Sequence, residues 1–144
     1  MTATTPAAFD PKPKVLGTVL NLIAGTTILA GDVVAIHGTP VASTVWPSAS
    51  ATTAAPIGVA LNGALVGEKV AVASCGSILK VREGAGGTVD AGDMLSTHTV
   101  AGTVITAAIT SDARIIGYAI GDISANSTGY AVILGPHYVA KDNT

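Results

Sequence analysis

The residues of this chain with the greatest capacity for chemistry are Cys75, the histidines His37, His98 and His137, and the aspartates Asp32 and Asp93. Nucleophilic catalysis needs a Ser, Cys or Thr beside a positioned imidazole and an orienting acid. The three histidines lie in separate segments, and no Gly-x-Ser-x-Gly elbow occurs. Cys75, in Ala73-Ser74-Cys75-Gly76, has the apolar context of a small buried side chain rather than a reactive thiolate. As the only cysteine it excludes an internal disulfide and a cysteine-based zinc site. Neither His-x-His, His-Glu-x-x-His nor a calcium-loop spacing is present, so a metal would require His37 and His98, 98 − 37 = 61 positions apart, to converge. Asp32 and Asp93 both follow a Gly and precede an apolar run, the place of an Asx-type turn. Such equivalence speaks for architecture, because paired catalytic carboxylates need different environments. Gly84-Ala85-Gly86-Gly87 is followed by neither Lys-Ser/Thr nor a helix signal, and is expected to be a hairpin loop rather than a phosphate cradle. Lys80 lies inside an alternating strand pattern, not at the hairpin tip where a lipoyl or biotinyl carrier presents its lysine. The expectation is a protein with no enzymatic activity, no cofactor and no metal.

The elements that position these residues are those of an all-β chain. Aromatics are 3% of the 144 residues while apolar residues are 49%, so the core must be filled by Val, Ile, Leu and Ala. No window carries helical periodicity with caps. Apolar runs divided by Gly, Asp and Asn recur instead, at Val33 to Ile36, Ile57 to Leu61, Val70 to Ala73, Ile78 to Val81, Val104 to Ile109, Ile115 to Ile120 and Ala131 to Leu134. Charged residues are only 11% and the net charge is −2, which leaves no basic field for nucleic acid and a largely neutral surface suited to a protein interface. The uncharged stretch from Val15 to Gly31 is interrupted by Gly17, Asn21 and Gly25, and reads as two buried strands around a Gly25 turn rather than a signal peptide or membrane span. Residues 1–14, with Pro6, Pro11 and Pro13, read as an extended arm, and residues 139–144 as a polar end. Residues 15–138 form the expected single β domain, and residues 48–56, rich in Ser, Ala and Thr, a surface loop.

An internal duplication organises that domain into pseudo-repeats of about 30–76 and 91–137. Ala30-Gly31-Asp32-Val33-Val34 is echoed by Ala91-Gly92-Asp93-Met94-Leu95 (92 − 31 = 61), and Ile57-Gly58-Val59-Ala60-Leu61 by Ile116-Gly117-Tyr118-Ala119-Ile120 (116 − 57 = 59). Gly67-Glu68-Lys69-Val70-Ala71-Val72 is echoed by Gly129-Tyr130-Ala131-Val132-Ile133-Leu134 (132 − 70 = 62). Gly31 and Gly92 supply permissive backbone before the turn aspartates, and Gly58 and Gly117 allow close backbone approach within a strand. Each half is expected to be a three-strand unit too thin to stand alone, and the two to close as a small β-barrel or two-sheet sandwich.

With the arm, the duplicated blocks and the missing chemistry in view, the chain resembles the capsid cement, or head decoration, proteins of tailed bacteriophages. The likeness rests on the Pro- and Thr-rich arm, the Ala30-Gly31-Asp32-Val33-Val34 turn, and the succession Ile57-Gly58-Val59-Ala60-Leu61, Gly67-Glu68-Lys69-Val70-Ala71-Val72, Gly76, and spans about residues 10–138. The resemblance implies a β-rich body on the capsid exterior, assembled in the host cytoplasm, that stabilises the shell by clamping neighbouring major capsid subunits. It also implies self-association, often as a homotrimer and in some members as a dimer, with an arm laid along the major capsid protein. On that reading Phe9, Pro11, Lys12, Pro13 and Lys14 are the arm's capsid contacts. Nucleic acid and membrane are not expected partners.

Two other readings stay open. A carbohydrate- or receptor-binding spike module would need aromatic platforms, and Trp46, Tyr118, Tyr130, Tyr138 and Phe9 make a small set, with Trp46 placed either as a plug at one barrel end or as an exposed anchor. An enzyme would need His37 and His98 to act together.

Overall fold

A computed structural model describes residues 15, 19–36, 43–48, 55–74, 76–84, 86–107 and 113–139. All regular structure among them is β: β1 (Val19–Ala24), β2 (Val33–Ile36), β3 (Thr44–Pro47), β4 (Ala55–Ala60), β5 (Lys69–Ala73), β6 (Ile78–Arg82), β7 (Met94–Thr97), β8 (Val104–Thr106), β9 (Ala113–Ala119) and β10 (Thr128–Val139). The first five close a barrel in the order β1-β3-β2-β4-β5, with β5 antiparallel to β1 and β3 parallel to it. The last five form a sheet in the order β6-β10-β9-β7-β8, whose outer strands approach through a parallel bridge from Glu83 to Val104. Taken around the circle the two orders are the same. The duplicated unit therefore has five strands rather than three, because β1 and β3 in the first half, and β6 and β8 in the second, join the ladder as well.

The correspondence extends to single hydrogen bonds. Gly31 N–H donates to the Ala60 carbonyl as Gly92 N–H donates to that of Ala119, and Ala60 N–H returns to the Asp32 carbonyl as Ala119 N–H returns to that of Asp93. The bridge Ile28 to Ala64 recurs as Val89 to Ile123. The offset shifts from 59 at Gly25 and Gly84 (84 − 25) to 61 at Ile28 and Val89 (89 − 28) across the longer Gly84 loop, and back to 59 at Ser43 and Gly102 (102 − 43). Pairing corrects the third sequence block. Ala60 faces Val72 and Ala119 faces Ala131, so the equivalent positions are 131 − 72 = 59 apart, not 62. Matching by glycine aligned Gly67 with Gly129, whereas the left-handed turn position of Gly67 (φ 82°) is filled in the second half by Asn126 (φ 54°), a residue that tolerates that conformation. The Gly84–Gly87 run is likewise no hairpin loop; it leads from β6 to the Val89 bridge, and β6 pairs with β10.

The Glu83–Val104 bridge curls the second sheet into the counterpart of the first barrel, hereafter the second barrel, and each has its own interior. Ala24, Ile28, Val34, Val45, Ala60, Ala64, Val70 and Val72 fill the first. Val89, Leu95, Val104, Ala119, Ile123 and Ala131 fill the second at equivalent positions, within a larger cluster that also takes in Val33, Val59 and Ala73. These last three form one cross-strand row on β2, β4 and β5. They alternate with interior residues, so they lie on the outside of the first barrel, and they are buried because the second half covers them. The strand expected to be buried between Val15 and Gly31 is instead half open: on β1 Val19, Leu20 and Ile23 are exposed, and Ile28 makes an isolated bridge rather than a second strand. Trp46 is not a barrel plug. It alternates with the core residue Val45 and lies half-buried against the backbone of Gly25.

Candidate interaction surface

The seam between the halves packs β4 and its row against β10 and β9, with turns closing its edge. In the first half Leu29 N–H donates to Asp32 Oδ2 (2.9 Å), the Asx-type turn that Asp90 and Asp93 repeat (3.0 Å). The two aspartates then diverge. Asp32 is 3% exposed and forms an ion pair with Arg82 of β6 at 3.1 Å, while Gly102 of the second half sits against its carboxylate. Burial raises the Asp32 pKa above the usual carboxylate value of 3.8, the Leu29 amide and then Arg82 opposing it. Asp93 is half-buried and accepts instead from Thr106 Oγ1 (3.0 Å). Gly102 completes the seam as a strand-like clamp: its carbonyl accepts from Val33 N–H (3.0 Å) and its N–H donates to the Ser48 carbonyl (2.9 Å). An open cleft of about 290 Å³ runs beside this clamp, lined by Leu29, Val59, Leu61, Lys80, Arg82 and Thr128 among others.

The sequence-selected glycines fall at two kinds of place. Gly31 and Gly92 both have φ of 90°, and Gly31 additionally lies under the Lys80 carbonyl, where a Cβ would stand at 3.0 Å. Gly58 and Gly117 lie mid-strand beside the carbonyls of Ala73 and Val132, which a Cβ would overlap. Phe9, Pro11, Lys12, Pro13 and Lys14, together with His37, Cys75 and residues 49–54, lie outside the described residues. His98 is half-buried and its Nδ1 accepts from Val100 N–H (3.3 Å), a local turn contact. Among the described residues no group of three His, Cys, Asp or Glu side chains could hold a metal, and no helix is long and apolar enough to cross a membrane.

What the geometry does offer is apolar surface, unequally shared. Of the exposed large hydrophobics among the described residues, Val15, Val19, Leu20, Ile23, Leu29, Ile36, Leu65 and Val66 belong to the first half, against Val100, Tyr118 and Leu134 in the second. Leu29, Leu65 and Val66, 50%, 61% and 66% exposed, crown one end of the first barrel, where the Ile28 to Ala64 bridge holds the two turns side by side. The equivalent positions at the end of the second barrel are Asp90, Ser124 and Ala125. The same fold thus tolerates polar or small residues there, so folding does not demand the apolar crown. Single exposed apolar residues need no explanation, and a cluster confined to one of two equivalent ends makes that end the candidate contact surface.

No protein-family model and no curated protein matches the chain. Among solved structures, it is similar to the crystal structure of the head fiber gp8.5 N base of bacteriophage phi29, with a TM-score of 0.60 and 19% identity over 81% of this chain and 92% of that one. At that identity the likeness is one of fold.

Proposed function

We propose that this chain is a structural protein of a tailed-phage virion, seated on the outer surface of the head, where it clamps neighbouring major capsid subunits. The observation that carries the reading is the concentration, among the described residues, of exposed apolar side chains on the first half, the half that follows the Pro-rich segment in sequence. The fold likeness to a head fiber base supplies the setting. An arm and an apolar barrel end are the parts a clamp needs. The arm covers much area with few residues and can add a strand to an exposed edge, and ~1,000 Å² of apolar burial contributes on the order of 25 kcal/mol before ordering costs. Localisation would then be the capsid exterior, reached after synthesis in the host cytoplasm.

The name of the structural neighbour favours a second reading, in which the chain is the foot of a displayed spike or fibre with receptor- or carbohydrate-binding function. Quantitative peptide mass spectrometry of purified virions separates the two. Copy numbers approaching those of the major capsid protein support the clamp, a few copies per particle support the spike, and absence from virions removes both.

A further inference from the structure

At one place a side chain of the first half closes over its own strands, while the second half leaves the same place open. Asn62, just past β4, reaches onto β5: its Oδ1 accepts from Ala71 N–H (2.8 Å) and its Nδ2 donates to the Lys69 carbonyl (3.4 Å). The offset of 59 set by strand pairing makes Gly121 the counterpart of Asn62 (121 − 62), Tyr130 that of Ala71 (130 − 71) and Thr128 that of Lys69 (128 − 69). The main chain repeats, since Ile120 N–H donates to the Tyr130 carbonyl as Leu61 N–H donates to that of Ala71. The carboxamide does not repeat. Nothing lies within 4 Å of where a Gly121 Cβ would stand, and among the described residues Tyr130 N–H and the Thr128 carbonyl have no hydrogen-bond partner. They border a cleft of about 490 Å³, lined by Gly121 with Lys80, Ile120, Asp122, Thr128 and Tyr130.

We propose that this cleft is a saccharide site, in which adjacent ring hydroxyls take the place of the missing carboxamide, one accepting from Tyr130 N–H and the next donating to the Thr128 carbonyl. A carboxamide offers an acceptor and a donor side by side, and two neighbouring hydroxyls offer the same pair. The walls supply the rest of what a sugar needs. Tyr130 and Lys80 are cross-strand partners on the outer face, so an aromatic ring able to take the apolar face of a pyranose stands beside an ammonium donor. Asp122 accepts from Ala91 N–H through Oδ1 (2.9 Å), which leaves Oδ2 for a sugar hydroxyl. Tyr118, 37% exposed on the outer row that it shares with Val132 and Ile78, is diagonal to Tyr130 at about 7–8 Å and lengthens the platform. One ammonium against one carboxylate makes no net positive field, which favours a neutral sugar over a phosphate or nucleic acid. A cleft of this volume is in the range of small-ligand sites. The first half carries Ala71, Asn21 and Gly63 where the second has Tyr130, Lys80 and Asp122, so the fold itself does not demand these side chains. The site rests on the second reading above, that of a carbohydrate-binding module, and gives it a location and a ligand class.

The test follows the backbone amides of the isotope-labelled full chain by NMR during titration with the methyl glycosides of glucose, galactose, mannose and N-acetylglucosamine. At least one sugar should shift the Tyr130 and Gly121 amides saturably, with a Kd of roughly 1 mM. Gly121→Asn builds the first half's own cap into the second. It should melt at or above the temperature of the parent, as a Gly replaced in open space does, and weaken binding ~10-fold or more. Tyr130→Ala should weaken binding by about as much through loss of the stacked ring. No saturable shift with any of the four sugars overturns the proposal. So does a folded Gly121→Asn variant that binds like the parent, and, if that variant fails to fold, a Tyr130→Ala variant that binds like the parent does the same. Copy number on virions decides the reading and the titration decides the site, so either can fail alone.

Discussion

Four glycines of the duplication share a residue type and not a task, and substitution should rank Gly117, Gly31 and Gly92. At Gly117 a Cβ would overlap the Val132 carbonyl, and backbone has nowhere to retreat inside a three-strand ladder. Gly117→Ala should cost ~2 kcal/mol or more. Gly92→Ala meets only the left-handed backbone penalty of about 1 kcal/mol, because nothing lies within 4 Å of its Cβ. Gly31→Ala adds the Lys80 carbonyl to that penalty and should fall between them. Chemical denaturation checks the order, and equal losses at Gly117 and Gly92 would contradict it. Asp32 gives a second test at this scale. Because burial raises its folded pKa above 3.8, the folded state binds its proton more readily than the unfolded state. The sign follows: stability is lost as pH rises through the window between the unfolded and the raised folded pKa, and regained on acidification. Asp32→Asn cannot titrate, so the melting temperature of the parent should rise relative to this variant between pH 7 and pH 4. A gap that stays constant across that range would show that Asp32 is ionised as easily as a surface carboxylate.

The turns of the second half show how an element can keep its geometry while changing the atoms that hold it. In the first barrel Gly67 N–H donates to the carbonyl of Ala24. In the second, Asn126 N–H donates to the side chain of Glu83, the residue equivalent to Ala24, at 2.8 Å, and the same oxygen accepts from Gly86 N–H at 3.2 Å. Glu83 is buried in the barrel and ties the longer Gly84 loop to the Asn126 turn. Glu83→Ala should leave both amides without an acceptor and cost ~1–3 kcal/mol, with Glu83→Gln recovering part of it; thermal melting of the two variants decides. This substitution of side chain for main chain also explains what the sequence could reveal. Runs such as Val33–Ile36 and Ile78–Arg82 announce strands by composition and alternation, and the all-β class was legible from them, while the duplication was read from the Gly-Asp and Ile-Gly blocks. The third block was misregistered because glycine identity was read as turn identity, while Asn126 holds the turn. Thr44–Pro47 and Met94–Thr97 stood outside the apolar runs because each is only four residues long and holds at most two consecutive apolar residues, too short a window for alternation to register. The exposed row was illegible in principle: Tyr118 and Val59 alternate identically along their strands, and only the stacking of one barrel on the other buries Val59.

For the whole molecule, the duplication serves as its own control. Two barrels of one topology carry an apolar crown at one end and a polar one at the other, so a charge can be placed at equivalent positions with equivalent consequences for folding. Leu65→Asp with Val66→Asp, and Ser124→Asp with Ala125→Asp, put the same groups on the same turn of each barrel, all four sites being exposed. Neither pair should change the melting temperature by more than about a degree, because exposed turn positions lie outside the core. If the first barrel faces the head, the Leu65 and Val66 pair should strongly reduce cosedimentation with purified phage shells and the Ser124 and Ala125 pair should not. Removing residues 1–14 should reduce attachment as well while leaving melting unchanged, since Pro6, Pro11 and Pro13 among small and polar residues give that segment no packing face of its own. The two losses separate the parts of the clamp. Loss only on truncation assigns the work to the arm, and loss only with the Leu65 and Val66 pair assigns it to the barrel end. Full binding by both would mean that the first half does not face the capsid.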